Sequence, residues 1–278
     1  MKMNYPELDN FLLAALTEDI GTGDVTTISC IAENAVSTGR FIAKEPGIIC
    51  GLDIIKRLFF LFDSTVCVSP KVNDGDFVNI GDTIADISGS SRSLLIVERT
   101  ALNLLQRLSA IATKTAKAVE SVRGTGTKIT DTRKTVPGLR VLDKYAVRCG
   151  GGTNHRFNLS DGILIKDNHI KAAGGITNAV KFARNNAPHT LKIEVETESL
   201  EAVNEALNAN ADIIMLDNMT PEMMTEAVKI INGRALTEAS GNMGDHDLKI
   251  IANTGVDFIS IGALTHSVKA LDISLRFE

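Results

Sequence analysis

Cysteine is scarce in this sequence, and the cysteines that it contains lie far apart. They form no C-x-x-C pair and show no spacing typical of metal ligands; they are Cys30, Cys50, Cys67 and Cys149. Disulfide scaffolds and cysteine-rich metal sites are built from closely spaced cysteines. We therefore predict free thiols in a reducing compartment and expect no disulfide scaffold.

Long runs of one residue class are also missing. The formal net charge is −5, and acidic and basic residues are interspersed, whereas a nucleic-acid-binding domain usually carries a basic patch or stripe. The longest apolar runs, such as 58–62, are far too short to span a bilayer, and the N-terminus lacks a basic region followed by an apolar core. We therefore expect no nucleic-acid partner, no membrane association and a cytoplasmic location.

What the sequence does contain favours a globular protein with a large and a small domain. Of its 278 residues, 44% are hydrophobic and 23% are charged, which is enough to bury a full-sized core. Apolar residues at helical spacing predict an amphipathic helix over 7–18, and residues 37–87 alternate like short strands around a helix over 52–62. We predict an N-terminal α+β domain over 1–105, joined by the C-terminal tail 268–278.

One part of this small domain has an alternative interpretation. Residues 71–88 form two short alternating stretches around Gly75 and Gly81, similar to the folded half of a biotinyl or lipoyl carrier domain. A carrier needs a modifiable lysine at a hairpin tip, but the only Met-Lys-Met is at residues 1–3, outside any predicted hairpin. A structural role is therefore favoured over a carrier role.

The rest of the chain alternates between strands and helices after a long predicted helix over 93–122. Strands are predicted over 128–132, 163–166, 191–196, 212–216, 235–239 and 258–261, with helices over 139–149, 176–186, 199–208, 221–232 and 245–253. This alternation is typical of parallel βαβ units. A complete eight-stranded barrel takes about 250 residues, more than remain here, so we predict an incomplete TIM-like α/β barrel of six to seven parallel strands over 106–267. An open doubly wound sheet is the competing architecture, although its G-x-G-x-x-G fingerprint is absent.

Polar residues stand where these predicted strands end, and a barrel places such ends on the rim that carries the active site. The cationic ones suit carboxylates or a pyrophosphate; they are Arg133, Lys134 and Lys166, with His155 and Arg156 in a glycine-rich loop. The carboxylates of Glu196 and Asp217 could hold Mg²⁺. Backbone N–H groups at 240–242 and 262–263 could bind a phosphate.

Each feature has a structural alternative when it is taken alone. Arg133 and Lys134 could be a solvated pair, and Glu196 or Asp217 could cap the following helix. The histidines that follow strand ends, His169 and His266, fit structural roles equally well. The coincidence of so many polar strand ends nevertheless favours a site for anionic, phosphate-bearing substrates.

Several long segments carry a resemblance to a known family. They are E-R-T-A-L-N-L-L-Q-R-L-S at 98–109, D-T-R-K-T-V-P-G-L-R at 131–140, K-Y-A-V-R-C-G-G-G-T-N-H-R at 144–156, L-I-K-D-N-H at 164–169, E-V-E, L-D-N, E-A-S-G-N, and G-V-D-F-I-S-I-G-A-L-T-H-S at 255–267. In these segments the sequence resembles the quinolinate phosphoribosyltransferases, also called carboxylating nicotinate-nucleotide pyrophosphorylases. The segments run in order through nearly the whole chain.

The resemblance implies phosphoribosyl transfer from phosphoribosyl pyrophosphate (PRPP) to quinolinate with Mg²⁺, a step of NAD biosynthesis that yields nicotinate mononucleotide, pyrophosphate and CO₂. It also implies a homodimer in which Arg99 is donated across the interface. The roles it implies are quinolinate binding by Arg133, His155, Arg156 and Lys166; binding of pyrophosphate, ribose and Mg²⁺ by Lys134, Glu196 and Asp217, with Thr132 nearby; and 5′-phosphate binding by Ser240, Gly241, Asn242, Ser260 and Gly262. Lys134, Lys166, Glu196 and Asp217 are the expected catalytic residues.

The sequence departs from the pattern of many members at Asn242, where they carry a second glycine, although the backbone N–H can still donate there.

Two alternative functions remain at this point. One is a paralogous group associated with molybdenum transport that shares the barrel motifs. The other is a non-catalytic anion-binding protein, which would have no need of the carboxylates Glu196 and Asp217.

Overall fold

The computed structural model describes residues 6–278. Within this range the helices are α1 Pro6–Ile20, α2 Val25–Cys30, α3 Leu52–Phe62, α4 Ser91–Ser121, α5 Arg140–Cys149, α6 Asp167–Ala173, α7 Ile176–Asn186, α8 Leu200–Asn208, α9 Pro221–Ile231, α10 Leu248–Ala252 and α11 Ala263–His266. The strands are β1 Val36–Ala43, β2 Gly47–Ile48, β3 Cys67–Pro70, β4 Phe77–Val78, β5 Thr83–Ser90, β6 Lys128–Thr130, β7 Ile163–Ile165, β8 Ile193–Thr197, β9 Ile213–Asp217, β10 Leu236–Ser240, β11 Phe258–Ser260 and β12 Ile273–Phe277. The Met-Lys-Met at 1–3 lies outside the described residues.

The described residues divide into two compact units. The first contains the chain up to Lys114, together with Val141–Gly150 and Val268–Glu278, and the second contains Thr115–Arg140 and Gly151–Ser267. The sequence analysis set the division at 105/106 and assigned the whole segment 106–267 to the barrel. The segment 141–150 falls in the first unit because α5 buries an apolar face there and its buried Asp143 forms a bidentate ion pair with Arg107, at 2.9 and 3.0 Å.

The first unit is built on an antiparallel sheet of strand order β12-β1-β5-β3. The alternating pattern of the strands buries one face, and α3 buries Leu58 and Phe59 in the core. Strand β12 pairs with β1 in a register that sets Gly39 opposite Phe277. A side chain at Gly39 would approach the carbonyl oxygen of Arg276 to 2.9 Å, so glycine allows the C-terminal strand to pack closely.

The second unit is a six-stranded parallel sheet of order β6-β11-β10-β9-β8-β7. Strands β7 to β11 follow one another in chain order, and β6, the first strand along the chain, lies beside β11, the last. This order shows none of the reversal that marks a doubly wound sheet, and it confirms the predicted incomplete barrel, with six strands. Parallel registers such as Ser240 opposite Asp217 align the carboxyl ends of neighbouring strands.

The structure moves several predicted boundaries. Strand β6 ends at Thr130 rather than at 132, and the residues after Lys166 form α6, which the sequence analysis missed. The helix predicted over 245–253 is a 3-10 turn at Met243–Asp245 followed by α10, since Asp247 accepts from Lys249 N–H and starts the helix there. Among the described residues, no helix combines the length and apolar character needed to cross a bilayer.

Candidate active site

A buried aspartate holds the glycine-rich loop beside the end of β6. Asp131 follows β6 and is 0% exposed; its carboxylate accepts from the backbone N–H of His155 at 2.9 Å and from the Asn154 amide at 2.6 Å. Thr153 adds a parallel bridge to Thr130. The loop therefore runs alongside β6, and its side chains at 155 and 156 line a cavity together with Glu194 and Glu238.

Two guanidinium groups of the second unit lie close to each other. Burial lowers the pKa of Arg156, and the positive charge of Arg133 lowers it further. Arg156 donates to the carbonyl oxygen of Gly162 at 2.9 Å, whereas the buried Nε of Arg133 has no hydrogen-bond partner. Two neighbouring cations with an unsatisfied buried donor are an arrangement that an anionic ligand would stabilise.

His155 faces two buried carboxyl groups. Its Nδ1 accepts from the backbone N–H of Arg156 at 2.8 Å, and its Nε2 lies 3.1 Å from Glu194 Oε2 and 3.5 Å from Glu238 Oε2. Burial, followed by the charge of Glu194, raises the pKa of Glu238 to about 7, and the charge of His155 opposes this shift. Because Nε2 is directed at these carboxyl groups, they and not a ligand are its partners in this structure.

A cavity of about 420 Å³ lies in the interior of the sheet below these groups. Its lining includes His155, Arg156 and Glu238, and it reaches Ile213 and Leu236, which begin β9 and β10. The lining contains neither Glu196 nor Asp217 nor Lys166, so this cavity and the predicted catalytic residues do not coincide. We place the candidate active site at the carboxyl ends of the strands, because the charged groups that can act on an anionic substrate converge there.

Carboxylates and a lysine meet at the ends of β8 and β9. Lys166 Nζ lies 2.5 Å from Glu196 Oε2. Carboxylate oxygens of Glu196, Glu198 and Asp217 all lie within 4.8 Å of one another. A cluster of carboxylate oxygens fits the preference of Mg²⁺ for hard oxygen ligands, with the remaining positions left for water and substrate phosphate. Glu198 was absent from the residues selected by sequence.

The turn after β10, where the phosphate site is predicted, is tight. Gly241 has φ +95° and Asn242 has φ +47°, so two successive left-handed residues follow Ser240. A side chain at Gly241 would place its Cβ 2.2 Å from Asn218 Oδ1 and 2.7 Å from the Asn218 backbone nitrogen. Asn218 in turn donates its backbone N–H to the carbonyl of Ser240 at 3.0 Å. This turn follows the carboxyl end of β10, where backbone N–H groups outside the sheet ladder are candidates for binding an anion.

Lys134 lies beside the end of β11. A Cβ at Gly262 would lie 2.8 Å from Lys134 Cδ, so the lysine side chain passes directly over this glycine. Thr132 accepts from the Lys134 backbone N–H at 3.0 Å and shapes the loop after β6. Ser260 is buried, and its hydroxyl is directed at the carbonyl of Ala239 at 3.4 Å.

The structure therefore gathers most of the predicted residues in the second unit. Arg99 is the exception, since it is exposed on α4 within the first unit. Three further groups belong to the polar strand ends of the sequence but were given no role there: Asp131, which holds the loop, and Glu194 and Glu238, which face His155. Their alternation with Val195 and Ala239 along buried strands is a signal that could have identified the last two as interior carboxyl groups.

Comparison with known proteins shows the family of this chain. The model of the quinolinate phosphoribosyl transferase C-terminal domain matches residues 111–276, and the model of its N-terminal domain matches 24–109. The chain belongs to the quinolinate phosphoribosyltransferase family. It is 48% identical over 273 residues to a probable carboxylating nicotinate-nucleotide pyrophosphorylase of Bacillus subtilis (strain 168), covering 98% of this chain and 94% of that protein.

Further members of the quinolinate phosphoribosyltransferase family are also similar to this chain over nearly its whole length. A probable carboxylating nicotinate-nucleotide pyrophosphorylase of Synechocystis is 45% identical, over 97% of this chain and 92% of that protein. The crystal structure of NadC from Streptococcus pyogenes superposes with a TM-score of 0.94 at 44% identity, covering 100% of this chain and 99% of that one. These findings give no support to the molybdenum-transport or the non-catalytic alternative.

Proposed function

We propose that this chain transfers the phosphoribosyl group of PRPP to the ring nitrogen of quinolinate, with loss of CO₂, to give nicotinate mononucleotide and pyrophosphate. The observation that carries the proposal is the pair Arg133 and Arg156, two neighbouring guanidinium groups with an unsatisfied buried donor. Quinolinate has two adjacent carboxylates, which such a pair can bind through charge-assisted hydrogen bonds.

Binding of both carboxylates orients the acceptor ring. Lys166 and His155 are the further candidates for this role, although His155 would have to turn from Glu194 to reach a ligand. With both carboxylates held, the ring nitrogen can be aligned with C1 of the ribose, which is chiefly a positioning problem. The C1–oxygen bond to pyrophosphate then breaks as the C1–nitrogen bond forms.

Two carboxylates and a lysine are the proposed partners of PRPP. Positive charge builds on the ribose as pyrophosphate leaves, and the carboxylates of Glu196 and Asp217 are placed to stabilise it. Mg²⁺ bound with PRPP would neutralise the departing pyrophosphate, and Glu196 and Asp217 are the residues that would hold it. Lys134 adds a positive charge for the pyrophosphate.

The 5′-phosphate and the release of CO₂ complete the proposal. The turn Ser240–Asn242 and Gly262, with Ser260 in support, are the proposed phosphate site. After transfer the ring nitrogen is cationic, so the electron pair of the bond to the 2-carboxylate can stay on the adjacent ring carbon as CO₂ leaves, and a proton then adds to that carbon. The proposed active form is a cytoplasmic homodimer in which Arg99 of one subunit serves the site of the other.

The direct test is release of labelled CO₂ from quinolinate labelled in its 2-carboxylate. We expect release that requires both PRPP and Mg²⁺, together with stoichiometric nicotinate mononucleotide. Nicotinate, which lacks the 2-carboxylate, is the comparison substrate. It should react far more slowly, because it offers the arginine pair one carboxylate instead of two. Absence of release from folded protein, or equal use of nicotinate, would overturn the proposal.

A further inference from the structure

Two cysteines that are distant in sequence meet inside the first unit. Cys50 precedes α3, and Cys149 is the last residue of α5. The sulfur atoms of both, with a carboxylate oxygen of Asp74, all lie within 4.8 Å of one another. No step of the proposed phosphoribosyl transfer uses this pair.

The two thiols differ in environment. Cys50 is 0% exposed, and burial raises the pKa of its thiol well above the ordinary value. Cys149 is half-buried and lines a surface cavity of about 490 Å³. The neighbouring Cys50 thiol lowers the pKa of the Cys149 thiol, while partial burial and the negative charge of Asp74 oppose this shift. The accessible sulfur is thus the one whose thiolate is stabilised, and the buried sulfur lies behind it.

The third member of the cluster is already engaged. Asp74 Oδ1 accepts from the backbone N–H groups of Gly51 and Leu52, at 2.9 and 3.0 Å, and its Oδ2 accepts from the Tyr145 hydroxyl at 2.6 Å. The carboxylate therefore anchors the start of α3 and the side chain of Tyr145. Its lone pairs are largely used, so the cluster favours chemistry between the two sulfurs over coordination of a metal ion.

The backbone next to each cysteine can adapt to a shorter sulfur–sulfur distance. Gly51 follows Cys50 with φ +115°, and the glycines 150–152 follow Cys149, with φ +84° at Gly151. Glycine adopts many backbone conformations at low cost, so the side of Cys149 has freedom to move. Formation of a bond needs only that the thiols approach within the geometry of a disulfide.

We propose that Cys149 and Cys50 are a peroxide-oxidisable thiol pair. The Cys149 thiolate attacks hydrogen peroxide, the O–O bond breaks, and Cys149 becomes a sulfenic acid as the other oxygen leaves, with a proton, as water. The Cys50 thiol then attacks that sulfur, displaces a second water and closes a Cys50–Cys149 disulfide. Both thiols together supply the two electrons that reduce the peroxide.

The test uses the full chain, treated with stoichiometric hydrogen peroxide, alkylated and digested with trypsin without reduction. Cleavage should place Cys50 in E-P-G-I-I-C-G-L-D-I-I-K, residues 45–56, and Cys149 in C-G-G-G-T-N-H-R, residues 149–156. We expect mass spectrometry to find these two peptides linked, and a thiol reductant to separate them. Cys30 and Cys67 are exposed internal controls, and Cys149 should oxidise at least about tenfold faster than either.

Two variants separate the roles of the sulfurs. Cys50→Ala should leave Cys149 as a sulfenic acid that dimedone traps, and Cys149→Ala should leave Cys50 reduced because it is buried. Circular dichroism of both variants checks that the buried substitution has not unfolded the protein. If a variant is unfolded, the linked peptide and the oxidation rates of the wild-type protein decide the test. Equal oxidation rates at Cys30, Cys67 and Cys149, or oxidation of wild-type protein without a peptide linking Cys50 to Cys149, would overturn the proposal.

Discussion

At the scale of single residues, the site is organised around groups whose hydrogen bonds are incomplete. The Nε of Arg133 and one oxygen each of Glu194 and Glu238 are buried without a partner. Buried polar atoms of this kind cost about 1–3 kcal/mol each when left unsatisfied, so a folded protein rarely keeps them without a use. Their grouping near the end of the barrel sheet is consistent with a site that is completed by its ligand.

Replacement of Arg133 should separate binding from stability. We expect Arg133→Ala to weaken quinolinate binding by roughly 100-fold, because a charge-assisted contact of about 2–3 kcal/mol is lost. Isothermal titration calorimetry measures this. The melting temperature should stay the same or rise, since the substitution removes a cation that repels Arg156. Arg123→Ala, on an exposed arginine paired with Glu120, is the matched control and should leave affinity intact; unchanged affinity in Arg133→Ala would contradict the assignment.

Glu238 should make stability depend on pH. Its ordinary pKa is 4.5 and its pKa in the fold is about 7, so the protonated carboxyl stabilises the fold fully below pH 4.5, and this stability is lost as pH rises to 7. Glu238→Gln keeps a neutral side chain throughout. Urea unfolding measures the free energy of unfolding at each pH. Between pH 4.5 and 8 we expect this free energy to fall by roughly 2–3 kcal/mol less in the variant than in wild type. Glu226→Gln, on an exposed residue of α9, should behave like wild type; the same behaviour in Glu238→Gln would count against the buried, protonated carboxyl.

At the scale of elements, the ends of strands were easier to predict from the sequence than the contacts of the loops that follow them. The polar ends of β8 and β9 could be predicted because period and composition change at Glu196 and Asp217. The function of Asp131 could not, since it depends on a loop more than twenty residues along the chain folding back beside β6. The orientation of His155 likewise depends on Glu194 and Glu238 from two other strands, which no local pattern reports.

The turn after β10 offers a test at this scale. Gly241→Ala would drive a Cβ into Asn218, so we expect the turn to distort and kcat/KM for PRPP to fall at least about tenfold. Steady-state kinetics with PRPP varied measures this. Gly233→Ala is the matched control, because Gly233 also has positive φ, +72°, but faces open space. The control should lose about 1 kcal/mol of stability and keep its kcat/KM for PRPP. Equal losses of kcat/KM in both variants would contradict the assignment of the turn to the phosphate site.

At the scale of the whole molecule, the sequence predicted two domains and a barrel, but not how the chain is shared between them. Helix α5 lies between β6 and β7 along the chain, where a βαβ pattern assigns it to the barrel, yet the buried Asp143 and its Arg107 partner belong to the first unit. Helical periodicity shows only that α5 has an apolar face, and says nothing about which core that face joins.

The proposed exchange of Arg99 between subunits makes a prediction about mixtures. Arg99→Ala and Lys134→Ala should each be nearly inactive alone. In a mixed dimer, the site that keeps Lys134 receives an intact Arg99 from the other subunit, while the second site carries both defects. Random exchange makes half of the dimers mixed, so activity should return to about one quarter of the wild-type value. Activity assays on co-incubated variants measure the recovery.

A second pair of variants controls for recovery by any other route. Lys134→Ala mixed with Lys166→Ala places one defect in every site of every dimer, because both lysines act within their own subunit's second unit. This mixture should therefore stay inactive under the same conditions. Exchange is checked independently with subunits that carry different affinity tags. Demonstrated exchange with no recovery in the Arg99 mixture, or equal recovery in both mixtures, would show that Arg99 does not act across the interface.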